Sequence, residues 1–189
     1  MNILVDNDIV LKLSCYRLVD EVLIPMCESP HLLGVLGAVR FVASRRIERL
    51  GLEGGHAEAI EELNTLLNRV QTIEPTDEEQ SIAADFEIAA QRAGVSLDTG
   101  ESHLCAIAIS RTTQGLLTGD KRAITGLNAL LDQDDRLLYL CGKLFCLEQI
   151  VAKAINRNPT LIHSAICGQP KVDKTLAICF SFILDLPEI

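Results

Sequence analysis

Ile3-Leu4-Val5-Asp6 near the start of the chain and Gly115-Leu116-Leu117-Thr118-Gly119-Asp120-Lys121 much later are built alike: a short apolar run, then an acid. Each run is strand-like in length and composition. An acid directly after a buried strand is costly to desolvate unless it opens into a crevice or is paired. In open parallel sheets the carboxyl ends of the strands line that crevice. A third stretch, Asp98-Thr99-Gly100-Glu101, opens a helix-like segment and brings two more acids. Converging carboxylates repel one another unless a divalent cation lies between them, and all-oxygen donors suit Mg²⁺ or Mn²⁺.

On either side of these runs, strands and helical stretches alternate. Residues 2–6 read as a buried strand, and Ile9 to Leu23 as a helix. Pro25, Pro30 and Gly34 mark a loop before a helix over Val35 to Leu50, which Gly51, Gly54 and Gly55 break. His56 to Val70 has helical spacing at Ile60, Leu63, Leu67 and Val70. Thr76 to Ala93 is the clearest helix: Thr76 and Glu79 match a capping box, and Gly94 ends it. Further helices are expected over Glu101 to Arg111, Lys121 to Leu131 and Lys143 to Asn156, with strands at Leu116 to Thr118 and Arg136 to Cys141. The alternation predicts an α/β fold of three layers, with a mostly parallel central sheet flanked by helices.

Composition narrows the function classes. The chain has 189 residues, 48% hydrophobic and 23% charged, which is globular rather than disordered composition. Its net charge of −9 argues against a general nucleic-acid binder, since phosphate binding is driven by Lys and Arg. The acidity is concentrated, however: residues 51–102 hold 12 acidic and 2 basic side chains, whereas residues 1–50 hold 6 of each. That leaves room for a neutral or basic face outside the middle segment. With no Trp and 4% aromatic residues, stacking platforms for unpaired bases are few, so an RNA would be held mainly by its backbone. Seven cysteines without paired metal spacing suit a reducing compartment. The N-terminus lacks a basic n-region, and the apolar run from Leu176 to Leu186 is interrupted by Ser181 and Asp185 and is too short to span a bilayer. A cytoplasmic protein with no membrane partner is expected.

Each candidate residue has an ordinary structural role to set beside the functional one. Asp6 could cap the helix that follows it, and Asp120 could be a turn acid beside Lys121. Asp98 and Glu101 are three apart, which fits a capping box and also lets Glu101 bind metal while Asp98 caps. Asp8 and Asp98 are candidate supporting acids. Thr118 could hydrogen-bond a water on the metal, although Thr is common in strands for propensity reasons alone. Arg45, Arg46 and Arg49 cluster on one helical stretch and are the best candidates for RNA phosphate contact.

Taken in order, Ile3-Leu4-Val5-Asp6, Gly100-Glu101 and Leu117-Thr118-Gly119-Asp120-Lys121 resemble the PIN-domain family of ribonucleases, which includes VapC-type bacterial toxins. The resemblance covers roughly residues 1 to 130. It implies a PIN-like domain over residues 1–158, with residues 159–189 as an apolar extension packed on that domain or at a dimer interface. It also implies a metal-dependent endoribonuclease, toxin-like in type, in which Asp6, Glu101 and Asp120 serve both catalysis and Mg²⁺ or Mn²⁺ binding. A single-stranded or structured RNA substrate, an antitoxin-like protein partner and a homodimer go with it. Cleavage would leave 5′-phosphate and 3′-hydroxyl ends.

The chain departs from the family where another acid is usual, on the helix after the first loop. Arg40 or a small apolar residue stands there, and an acid a few residues past Asp120 is missing too. An Arg40 facing the acids would compete with metal for them. This keeps open a second reading, a catalytically impaired PIN-like module that binds proteins. A third comes from Asp6-Asn7-Asp8-Ile9-Val10, which looks like the opening motif of haloacid-dehalogenase-type phosphohydrolases, where the first Asp attacks phosphorus. It leaves Gly100-Glu101 without a role.

Overall fold

The computed structural model describes residues 2–52 and 54–181. Five strands form one all-parallel sheet: β1 (Ile3–Val5), β2 (Leu33–Leu36), β3 (Gln71–Ile73), β4 (Gly115–Thr118) and β5 (Leu144–Cys146), in the order β3-β2-β1-β4-β5. The expected α/β architecture is the one observed. The central strand β1 pairs Leu4 with Leu116 and Val5 with Leu117 of β4, and Ile3 with Leu33 of β2. The chain winds from β1 outward to β3, then returns to lay β4 on the other side of β1. The β1–β4 boundary is therefore the topological switch point, where open parallel sheets leave a crevice.

Nine α-helices cover the two faces among the described residues: α1 (Asn7–Tyr16), α2 (Val39–Arg49), α3 (His56–Leu67), α4 (Asp77–Ala93), α5 (Thr99–Ser110), α6 (Lys121–Leu130), α7 (Leu147–Ile155), α8 (Pro159–Gly168) and α9 (Lys174–Ser181). Alternation of side chains along the strands splits the core in two. Val5, Leu33, Val35 and Leu117 pack against α1, α2, α3 and α7 to α9. Leu4, Leu36, Ile73 and Leu116 pack against α4, α5 and α6. Ile162, Ile166, Leu176, Ala177 and Phe180 of α8 and α9 are buried in the first of these cores, so the extension shares the domain's interior. The part of the apolar run beyond Ser181 lies outside the described residues. No helix among the described residues is long and apolar enough to cross a membrane, and all seven cysteines are unpaired.

Several element boundaries differ from the sequence expectation. The first helix stops at Tyr16, because Arg17 turns left-handed (φ 56°) and the chain re-enters a single π-type turn over Val19–Leu23. Residues 33–36, expected as loop and helix start, form β2, a fully buried strand in which Gly34 pairs with Leu4 on one side and Gln71 on the other. Gln71–Ile73, just past the helix expected to end at Val70, forms edge strand β3. Arg136 to Cys141 is not a strand: Asp134 caps a 3₁₀ segment over Asp135–Leu140, with Leu137 and Leu140 buried at its spacing of three. The fifth strand lies just after it, in the stretch expected to begin α7.

The long helix α4 forms as its sequence predicts. The Thr76 N–H donates to Glu79 Oε2 at 2.8 Å, the Glu79 N–H donates to Thr76 Oγ1 at 3.3 Å, and Gly94 closes the helix at φ 68°. Glu79 also takes a two-pronged bond from Arg111 at the end of α5, 2.7 Å on each oxygen. At the other end, Ser102 Oγ donates to Glu87 Oε1 at 2.6 Å. Pinned at both ends to α4, α5 is fixed in place with its N-terminus at the crevice.

Candidate functional site

Asp6, Asp8, Asp98, Glu101 and Asp120 all line one open cavity of about 740 Å³. Three cations, Lys12, Arg46 and Arg122, line it as well. Its floor is the switch point: β1 delivers Asp6, β4 delivers Gly119 and Asp120, and the N-terminus of α5 delivers Asp98 and Glu101.

Asp6 is 8% exposed, and its backbone N–H bonds Leu117 O at 2.9 Å, continuing the β1–β4 pairing to the strand end. Its Oδ1 accepts from the Asn7 N–H at 2.6 Å, so it caps α1 as the ordinary role requires. Burial, with the charges of Asp8 and Asp98 adding to it, pushes the Asp6 carboxyl up to about 6 despite that bond. Glu101, also 8% exposed, completes a capping box: its Oε2 accepts from the Asp98 N–H and Asp98 Oδ1 from the Glu101 N–H, each at 2.9 Å. Burial again comes first, and the charges of Asp98, Asp120 and Asp6 add to it, bringing Glu101 to about 7. Of the three acids proposed from the sequence, Glu101 therefore feels the charges of the other two.

Asp120 differs. As the cap of α6 it accepts from the Arg122 N–H at 2.7 Å, and the Arg122 guanidinium grips the same carboxylate, with Nη2 to Oδ2 at 2.6 Å. That guanidinium holds Asp120 below the usual carboxylate range. Thr118 Oγ1 accepts from the Asp120 N–H at 3.2 Å, so the hydroxyl shapes the turn at the end of β4. Asp8 lies against Gly119, where any Cβ would run into its carboxylate. Its oxygens meet Lys12 Nζ at 2.7 Å and Arg46 Nη2 at 3.3 Å, and Lys12 reaches on to Asp173 at 2.8 Å, at the start of α9.

The acids share the cavity without forming a ready ligand set. Among the described residues no three His, Cys, Asp or Glu side chains stand together in a way that could hold a metal ion. Each carboxylate is instead turned onto a donor of its own segment. The donor chemistry nevertheless suits a hard divalent cation: Asp8 and Asp120 have cationic partners, whereas Asp6 and Glu101 hold raised carboxyls bonded to backbone N–H groups.

Arg40 corrects an expectation. It does not point into the acids; it is exposed and lines a separate recess of about 330 Å³ with Phe41, Leu67, Thr72 and Glu74. Because α2 begins only at Val39, the helical turn that faces the cavity is the one carrying Val42 and Arg46. Of the three arginines expected to contact RNA, Arg46 is at the cavity; Arg45 and Arg49 are exposed on α2 outside it. Lys12 and Arg122 were not among the sequence candidates. Lys12 sits four residues after Asp8, a spacing that places both on one helical face and could have found it.

Compared with known proteins, the sequence matches no family model, and neither a curated protein nor a solved structure matches it.

Proposed function

We propose that the chain is a divalent-metal-dependent ribonuclease of PIN type, acting in the cytoplasm. The observation that supports this most is the convergence of acids from the end of β1, the start of α5 and the end of β4 on one cavity at the switch point. Two of those acids, Asp6 and Glu101, are raised first by burial and then by the charges of neighbouring acids. Asp6 and Glu101 would hold Mg²⁺ or Mn²⁺, with Asp120 joining once it leaves Arg122. A bound ion of this kind supplies charge neutralisation at a phosphodiester and a more acidic water. Asp6 and Glu101 fix where that charge sits, because each is anchored to its own backbone. Arg46 and Lys12 line the same cavity, where they can attract and orient phosphate. Arg122, on an exposed first turn, can exchange Asp120 for a substrate phosphate.

The test is Mn²⁺-dependent cleavage of a labelled single-stranded RNA by the parent, Asp6→Asn and Glu101→Gln. Loss of at least a hundredfold in rate in both variants is expected, on the order of what removing one charge-stabilising group costs. A parent that cuts nothing, or variants that cut as the parent does, would contradict the proposal.

The Arg122–Asp120 pair favours a second reading, a metal-poor PIN-like module that binds a protein partner. Its signature would be no cleavage and no bound metal in the parent. The dehalogenase-type reading requires Asp8 to serve a leaving group, and its two oxygens already bond Lys12 and Arg46.

A further inference from the structure

Helix α2 carries Arg40, Arg45, Arg46 and Arg49 against one acid, Glu48, in a chain whose net charge is −9. Among the described residues, Arg46 is the one of the four arginines with an ionic partner, Asp8. The same helix exposes Phe41 at 68%, the most exposed large hydrophobic side chain among the described residues. Its ring lines the recess formed with Arg40, Leu67, Thr72 and Glu74, at the carboxyl ends of β2 and β3. Val42 and Arg46, one helical turn apart, line the acid cavity. Phe41 and Arg45 have the same spacing and share the adjoining face. One helix thus presents two stripes, one lining the acid cavity and one exposed, both at the carboxyl end of the sheet.

We infer that α2 is a track for single-stranded nucleic acid, with Phe41 as the platform on which one unpaired base stacks and Arg45 taking the neighbouring phosphate. This deepens the nuclease reading of the acid cavity and rests on it for the identity of the strand. An aromatic ring flanked by Arg40 and, one turn on, by Arg45 fits a base and its phosphates, because the ring offers a π-face to any base and guanidinium groups bind phosphate. One ring beside a partly exposed Val42 is too small an apolar area for the core of a protein interface. Composition had suggested few stacking platforms; the structure supplies one where a strand leaving the acid cavity over Arg46 would pass.

The test measures binding in EDTA, so that cleavage plays no part. A short fluorescein-labelled oligouridylate and an abasic ribose-phosphate oligomer of equal length are titrated with the parent, Phe41→Ala, Phe41→Trp and Arg45→Gln. Phe41→Ala should weaken oligouridylate binding about tenfold, in the range of one stacked base. It should leave the abasic oligomer unaffected, and Phe41→Trp should bind at least as tightly as the parent. Arg45→Gln should weaken both oligomers and reduce the salt slope by about one. Equal affinity of the parent and Phe41→Ala for oligouridylate overturns the inference. So does a Phe41→Ala protein that binds RNA normally but sediments as a smaller species, which assigns the face to a second copy of the chain. A parent that binds as described yet never cleaves with Mn²⁺ would sink the nuclease reading alone, leaving the platform supported.

Discussion

Asp6 makes the clearest statement at the scale of the single residue. A carboxyl raised from 3.8 to about 6 binds more protons in the folded than in the unfolded chain between those pH values. Stability from this group therefore falls as pH rises through that window, and the deficit is complete above it. Asn is as good a helix cap as Asp and carries no charge to desolvate. Asp6→Asn should accordingly stabilise the metal-free protein at pH 8 by about 1–3 kcal/mol, the order set by 1.4 kcal/mol per pH unit. Below pH 4 the gain should vanish. Urea unfolding at both pH values checks this, and an equal gain at pH 4 and pH 8 would contradict it. The acid itself was legible in the sequence, because an acid after an apolar strand has few places to go. Its surroundings were legible only in part. Lys12 could be read from its spacing to Asp8, but Arg46 reaches the same carboxylate from a different helix, 38 residues on. No local pattern encodes that contact.

Among the elements, α6 bears most directly on the site. Its start holds both Asp120, the cap, and the arginine that grips it, so the same residues that begin the helix also engage a carboxylate that lines the cavity. Replacing Arg122, whose side chain is 79% exposed, leaves the cap bond from its backbone N–H in place. Arg122→Ala should therefore tighten Mn²⁺ binding several-fold with little change in stability, whereas Arg40→Glu should leave metal affinity unchanged. Metal titrations of the two variants decide this; an effect from Arg40→Glu alone would return Arg40 to the acids. The helices were the readable elements, since α4 and α5 carry both a capping box and an apolar face. The short strands were not. Leu33-Gly34-Val35-Leu36 was split by a glycine that looks like a break, and Gln71–Ile73 is three residues long with two of them exposed. In a parallel sheet such strands are specified by neighbours on either side rather than by their own alternation.

At the scale of the whole molecule, α8 and α9 do more than decorate the domain. Leu176 and Phe180 are buried beside Ile162 and Ile166 in the core that also holds Val5 and Leu117 of the central strands. Lys12 joins the acid cavity to the cap of α9 through Asp173. Leu176→Ala should therefore cost about 2–5 kcal/mol, the range for deleting a buried leucine side chain. It should also shift one cooperative unfolding transition rather than create a second. A separate early transition by circular dichroism would show that the C-terminal helices form an independent unit. The topology explains why the site sits where it does: reversal of the winding at β1 and β4 leaves Asp6 and Asp120 on either side of one crevice, and α4 holds α5 so that Glu101 lines the same cavity.

Calorimetric titration of Mn²⁺ into the parent and Asp6→Asn, at pH 7.5 and pH 5.5, tests that arrangement most directly. Because Asp6 and Glu101 are raised to about 6 and about 7, protons compete with the ion at the lower pH. The account predicts one ion per chain at pH 7.5, binding at least tenfold weaker at pH 5.5, and no binding by Asp6→Asn. An absence of heat in the parent, or binding that survives Asp6→Asn unchanged, would contradict it.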